Sequence, residues 1–135
     1  MENEEIRKLV LAGYEKLRNG QFKELSEMYT EDAVWISPVV EGIPFSGPRN
    51  GREEILHRVD AMMSAQESKQ LQITAIIVES NRSAVMGHSV WLVKATNKIY
   101  ETDWVHAAEF NEDGRMRRFQ MVFDTAATSA AFTPN

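Results

Sequence analysis

One imidazole stands in the most legible strand of the chain. Between residues 99 and 110 the side chains alternate, as extended backbone requires. Ile99, Glu101, Asp103, Val105, Ala107 and Glu109 share one face, and Tyr100, Thr102, Trp104, His106, Ala108 and Phe110 share the other. The first face carries three acids and belongs in water. The second is aromatic and apolar, which places His106 on a buried surface. Imidazole titrates near neutral pH, so a histidine in an apolar pocket is a candidate general acid or base. The plainer reading is a neutral core histidine satisfied by a neighbour. Two hydroxyls are within the pattern's reach. Tyr14 falls on the apolar face of a helical segment, and Ser37 lies two residues beyond Trp35, on the same strand face.

The large apolar residues suggest what would surround such a site. Trp35, Trp91 and Trp104 lie in strand-like segments, and Phe119, Met121 and Phe123 alternate along the last one. Aromatics in strands ordinarily fill cores. They also line apolar pockets in which a few polar groups set a ligand's orientation. The expected lining is Tyr14, Trp35, Ser37, Trp91, Trp104, His106, Phe119, Met121 and Phe123, and the expected ligand a hydrophobic small molecule.

The three histidines, 57, 88 and 106, form no HxH, HxxxH or HExxH spacing. A two-residue turn at Thr96-Asn97 would set Gly87 opposite His106 and turn His88 to the other face. A register one residue longer would bring the two histidines face to face, the one route to a shared metal. The shorter turn is the expectation, and with it no metal. Arg115, Arg117 and Arg118 follow a glycine turn and read as a solvated strand end. No Ser-His-Asp spacing and no phosphate-binding glycine loop is present.

Those residues must be positioned by the elements around them. Ile6, Leu9, Val10, Gly13, Tyr14 and Leu17 repeat at three- and four-residue steps, one face of an amphipathic helix that Asn19-Gly20 can stop. A short helix carries Phe22, Leu25, Met28 and Tyr29. Residues 33–37 read as a strand, and the proline- and glycine-containing stretch 38–50 as an ordered surface loop. A third helix is expected from Asn50, with Glu53 three residues on in capping-box spacing and Ile55, Leu56, Val59, Met62 and Met63 as its buried face. From residue 70 the period drops to two. Segments 71–79, 84–94, 99–110 and 115–123 read as strands of an antiparallel meander. The Ala-rich tail suggests a short helix capped by Asp124. Helices first and strands after define an α+β fold, a curved sheet with helices on one face.

Composition sets the outer bounds. At 135 residues the chain is one domain, residues 1–135. Fifteen Lys+Arg against 20 Asp+Glu give a formal net charge of −5, and an acidic surface repels phosphate backbones, so no nucleic-acid partner is expected. The chain has no cysteine, which excludes disulfides and thiolate chemistry. Its apolar runs are far shorter than the ~20 residues that cross a bilayer, and its acidic start carries no signal pattern. The expectation is no membrane partner and a cytoplasmic location.

Several strings in order resemble one superfamily. They are Leu17-Arg18-Asn19-Gly20-Gln21-Phe22, then Met28 to Trp35, then Ser46 to Ile55, then Trp104 to Gly114, and finally Phe123 to Ala127. Over about residues 5–130 the chain resembles the nuclear-transport-factor-two-like superfamily, in its SnoaL-like and ketosteroid-isomerase-like branch. The resemblance implies a cone-shaped, cystatin-like fold: three N-terminal helices packed on a bent antiparallel sheet, open at one end. It also implies a homodimer through the outer sheet surface, where His88, Val90, Leu92, Val105 and Ala107 lie. The proton-shuttling aspartate of the steroid isomerases falls at Ser37, their oxyanion-binding tyrosine at Gly13 beside Tyr14, and their protonated aspartate at His106. The last-strand aspartate of the cyclases falls at Gln120 or Met121, and the last-strand acid of the epoxide hydrolases at about Met121. The vessel and one histidine are therefore expected without the signature carboxylates. The implied activity is a cofactor-free isomerase, cyclase or dehydratase acting on a hydrophobic carbonyl or polycyclic compound, with His106 as acid/base and Tyr14 or Ser37 as its partner. The alternative is a non-catalytic binding or assembly module with a filled or purely apolar cone.

Overall fold

The computed structural model describes all residues, Met1–Asn135. Helix α1 (Asn3–Arg18) turns Ile6, Val10, Gly13 and Tyr14 inward, as the spacing predicts. It ends at Asn19, and Gly20 takes a φ of 73° that few other residues tolerate. Helix α2 (Phe22–Ser26) is a single turn. Strand β1 (Tyr29–Ile36) starts four residues earlier than expected. The stretch between β1 and β2 (Arg49–Asn50) is more than a surface loop, because Ile43 and Phe45 are buried against Met62.

Helix α3 (Arg52–Ala65) begins two residues later than predicted. Its N-cap is Gly51, at a φ of 91°, and the Asn50–Glu53 capping box does not form. The Asn50 amide instead donates to Glu54 Oε1 at 3.2 Å. A Cβ at position 51 would lie 3.3 Å from the Glu31 carbonyl oxygen, so the chain turns tightly there before the helix can start.

Strands β3 (Gln66–Glu79), β4 (Arg82–Val93), β5 (Lys98–Phe110) and β6 (Met116–Phe123) follow as a meander. The sheet order is β2-β1-β6-β5-β4-β3. It is antiparallel except where β1 runs parallel to β6, a pairing that α3 and the meander make possible by carrying the chain back. Register shifts between Ser68 and Gln70 and between Ile73 and Ala75 bend the long β3. Helix α4 (Thr125–Phe132) is capped by Asp124, whose carboxylate accepts from the Ala127 amide at 2.9 Å. The curved sheet wraps a core in which Ile6, Val10, Tyr14, Ile55 and Val59 meet Trp35, Val85, Trp104 and Phe110. No helix is long and apolar enough to cross a membrane.

The β4–β5 register differs from the expected one. The connection is four residues long, Val93 pairs with Lys98, and Val85 rather than Gly87 faces His106. Asn97, at a φ of 61°, lets the longer loop close. A shift of two residues preserves parity, so His88 still points away from His106.

Candidate functional site

The site forms where α1 and α3 close over β4, β5 and β6. Gly87 stands opposite Trp104, and a Cβ there would lie 2.1 Å from Trp104 Cζ2. The missing side chain lets the indole lie flat on the neighbouring strand. Its Nε1 then donates to Ser89 Oγ at 2.8 Å. The fixed indole stacks on His106 at 4.2 Å between centroids, with 20° between planes. Phe119 closes the other side of the imidazole at 5.1 Å.

Tyr14 reaches across from α1. Its hydroxyl lies 2.7 Å from His106 Nδ1, and its ring stacks near Trp104 at 5.8 Å. Burial pushes the Tyr14 phenol far up, so it stays protonated. Burial, helped by the Arg58 cation, pushes His106 down to about 3. Both groups are therefore neutral at pH 7. With the phenol donating to Nδ1, the neutral imidazole carries its own hydrogen on Nε2. That N–H has no protein acceptor.

Two small cavities meet at this pair. One, of about 80 Å³, lies between Tyr14, Leu25, Trp35, Val85, His106 and Phe119. The other, of about 70 Å³, runs past Trp91, Trp104, Phe123, Gln66 and Arg58. Tyr14, His106 and Met121 border both. The lining surface is mostly apolar and holds no carboxylate. An apolar cavity of about 150 Å³ admits benzene; the two cavities reach that size only together, so a single ring has to span both.

The predicted lining residues Trp35, Trp91, Trp104, Phe119, Met121 and Phe123 all border one cavity or the other. Ser37 does not. Strand β1 ends at Ile36 and Pro38 follows, so the alternation that would carry Ser37 alongside Trp35 stops one residue short. Its buried hydroxyl accepts instead from Arg58 Nη2, at 3.2 Å. His88 lies on the outer sheet face, where Asp103 (2.8 Å) and Glu101 (3.2 Å) hold its pKa above the ordinary range.

Sequence reasoning missed Arg58. It is 1% exposed, among the most buried residues of the chain. Its guanidinium lies 4.6 Å over the Trp35 ring and 5.3 Å from Phe45. The signal was present: positions 55, 58, 59 and 62 form one stripe of α3, and an arginine inside it must go inward with them.

A bent sheet wrapped on three helices, with a polar pair at the bottom of an apolar chamber, defines the class of small cone proteins. The sequence profile of the SnoaL-like domain matches residues 10–119, and the chain belongs to that family. No curated protein matches it in sequence. Among solved structures it is similar to an NTF2-like protein from Burkholderia xenovorans LB400, with 23% identity over 98% of this chain and 99% of that one and a TM-score of 0.88. It is also similar to an NTF2-like protein of unknown function from Burkholderia pseudomallei, with 20% identity over 98% and 99% of the two chains and a TM-score of 0.85. TerC, co-crystallised with polyporic acid, shares 20% identity over 95% of this chain and 98% of that one, with a TM-score of 0.80. At these identities the likeness is one of fold.

Proposed function

We propose that the cone binds a small unsaturated or aromatic carbonyl compound and promotes its keto–enol isomerisation without a cofactor: His106 Nε2–H hydrogen-bonds the carbonyl oxygen while a water molecule carried in with the ligand takes the α-proton and returns one at the new position. The observation that carries this reading is the Tyr14–His106 hydrogen bond, 2.7 Å long, at the junction of two apolar cavities. A neutral imidazole with Nδ1 occupied presents Nε2–H as its free donor. Aimed at a ligand carbonyl, such a donor stabilises the oxygen as negative charge develops on it, and does so best where water is excluded. Tyr14 fixes the tautomer and the ring orientation. The co-crystallisation of TerC with a small organic molecule supports a ligand-binding chamber in this fold.

The test is turnover of a panel of α,β-unsaturated ketones and enolisable aryl ketones, with ligand binding followed in parallel. Replacing His106 by Ala is expected to lower turnover by about 10²–10³-fold, the usual contribution of one oxyanion donor. Turnover unchanged in that variant would remove His106 from the chemistry. A second reading is binding without catalysis, favoured by the lack of any carboxylate in the lining. Binding without turnover across the panel would select it.

The outer sheet face supports a homodimer. Ala75, Met86, Val105 and Val122 lie side by side across four strands, with Val105 37% and Val122 55% exposed. Arg82, Arg117 and Arg118 stand toward one end of the face, and Glu101 and Asp103 toward the other, so a two-fold pairing can set opposite charges together. Sedimentation equilibrium is expected to give twice the 15.4 kDa chain mass; a monomer at high micromolar concentration would end this proposal.

A further inference from the structure

A buried cation ordinarily comes with a carboxylate, and Arg58 has none. Of its five N–H donors, one meets Ser37 Oγ at 3.2 Å and one meets the weak acceptor Met62 Sδ at 3.4 Å. Its Nε is buried with no partner at all. Nearby arginines are satisfied: Arg49 donates to the carbonyls of Ser46, Gly47 and Pro48, and Arg52 to that of Tyr29. Arg58, unlike Arg49 and Arg52, lines the cavity that His106, Trp91 and Trp104 border. Gln66, 1% exposed, and Tyr100 form a hydrogen-bonded pair on that lining, Oε1 accepting from the phenol at 2.7 Å.

The geometry points to an anion subsite at Arg58: the cone takes its ligand as a monoanion, a small aromatic or unsaturated carboxylate, with the charged end on the guanidinium and the apolar body among Trp91, Trp104 and His106. This deepens the function proposed above and rests on its cavity. A guanidinium offers parallel N–H groups that match a carboxylate in fork geometry. The surroundings choose among anions. An apolar lining with a single cation favours one negative charge on an apolar body over a phosphate, which carries more charge and no apolar surface to bury. The cavity of about 70 Å³ is about half of what a benzene ring occupies, so the ring reaches past His106 into the neighbouring cavity of about 80 Å³, and the body is limited to one ring.

The experiment uses the full chain and two probes of one shape, benzoate and its neutral isostere benzamide, titrated by calorimetry at pH 7.5. Benzoate is expected to bind at least tenfold more tightly. In Arg58→Met, of similar length, that preference is expected to disappear while benzamide binding persists. This variant is expected to fold with a Tm equal to or above that of the wild type, because removing an unpaired buried charge relieves its desolvation. Arg58→Lys keeps the charge without the fork and is expected to retain part of the preference. It gives the same comparison should the Met variant fail to fold. Equal binding of the two probes by the wild type would overturn the anion subsite and leave the apolar chamber standing. Binding of neither would overturn both. A benzoate preference surviving in Arg58→Met would place the anion elsewhere and overturn the assignment to Arg58.

Discussion

Replacing Tyr14 by Phe isolates one hydrogen bond. The phenyl ring keeps the stacked contacts with Trp104 at 5.8 Å and with His106 at 5.9 Å, and only the hydroxyl, 2.7 Å from Nδ1, is removed. The loss leaves a ring nitrogen in an apolar site with no partner. Orphaning a buried acceptor costs about 1–3 kcal/mol, more than the bond itself contributes to stability. For a domain of this length, 1 kcal/mol corresponds to about 3–5 °C in Tm, between the values for smaller and larger domains. Calorimetry at pH 7.5 is therefore expected to show a Tm lower by about 3–15 °C. Nitrogen-15 NMR of the histidine rings supplies the second readout. In the wild type, His106 is expected to be neutral, with Nδ1 bare and Nε2 protonated. In Tyr14→Phe that tautomer preference should relax. A Tm within 1 °C of wild type, together with a wild-type ring protonated on Nδ1, would refute the assignment of Tyr14 as donor and with it the free Nε2–H.

Three further outcomes are expected. The unfolded chain protonates His106 near its ordinary pKa of 6.5, and the folded chain only near 3, so the unfolded state holds more protons between those values and stability falls as pH drops through that window. The slope reaches at most about 1.4 kcal/mol per pH unit; the difference between wild type and His106→Gln in urea titrations isolates it, and a difference flat from pH 6.5 to 4 would contradict it. Gly87→Ala drives a Cβ to 2.1 Å from Trp104 Cζ2 and 2.5 Å from the Gln72 carbonyl oxygen, a backbone atom that cannot swing aside. The variant should lose about 1–3 kcal/mol or more and shift the tryptophan fluorescence, and unchanged stability would show that the strand yields. Asp124→Ala removes the cap of α4, with an expected loss of about 1 kcal/mol read as a lower urea midpoint at constant slope.

Parity made much of the site legible. Alternation along residues 99–110 is enough to send Trp104 and His106 inward together, because a strand has only two faces. The same property protected the placement of His88, since a register wrong by two residues still assigns the right side. Parity fails where a strand ends. Ser37 looks like a neighbour of Trp35 by count, but the last ladder partner on β1 is Ile36 and the chain leaves the sheet before the serine. The capping box failed for a related reason, because the turn at Gly51, set by the Glu31 carbonyl, overrides a local side-chain preference. Arg58 escaped notice because residue type outweighed position. Charged side chains are so rarely buried that an arginine in an apolar stripe is read as belonging to the wet side.

The burial of Arg58 is a matter of energetics as much as of placement. Moving a guanidinium out of water costs several kcal/mol even after relaxation. A cation–π contact returns about 2 kcal/mol when desolvated, and the two observed contacts, with Trp35 and Phe45, offset only part of that cost. A methionine or leucine at the same position would fill the space without any charge to desolvate. The fold alone therefore gives no reason for a cation there. Its effect on its neighbour supplies one. The positive charge is one of the two causes that keep His106 unprotonated, burial being the larger. A protonated imidazole would repel the Arg58 cation and lose its acceptor at Nδ1, and Tyr14 could then no longer set the tautomer. The cation thus helps hold the imidazole in the single state in which one nitrogen is fixed by Tyr14 and the other is left to donate.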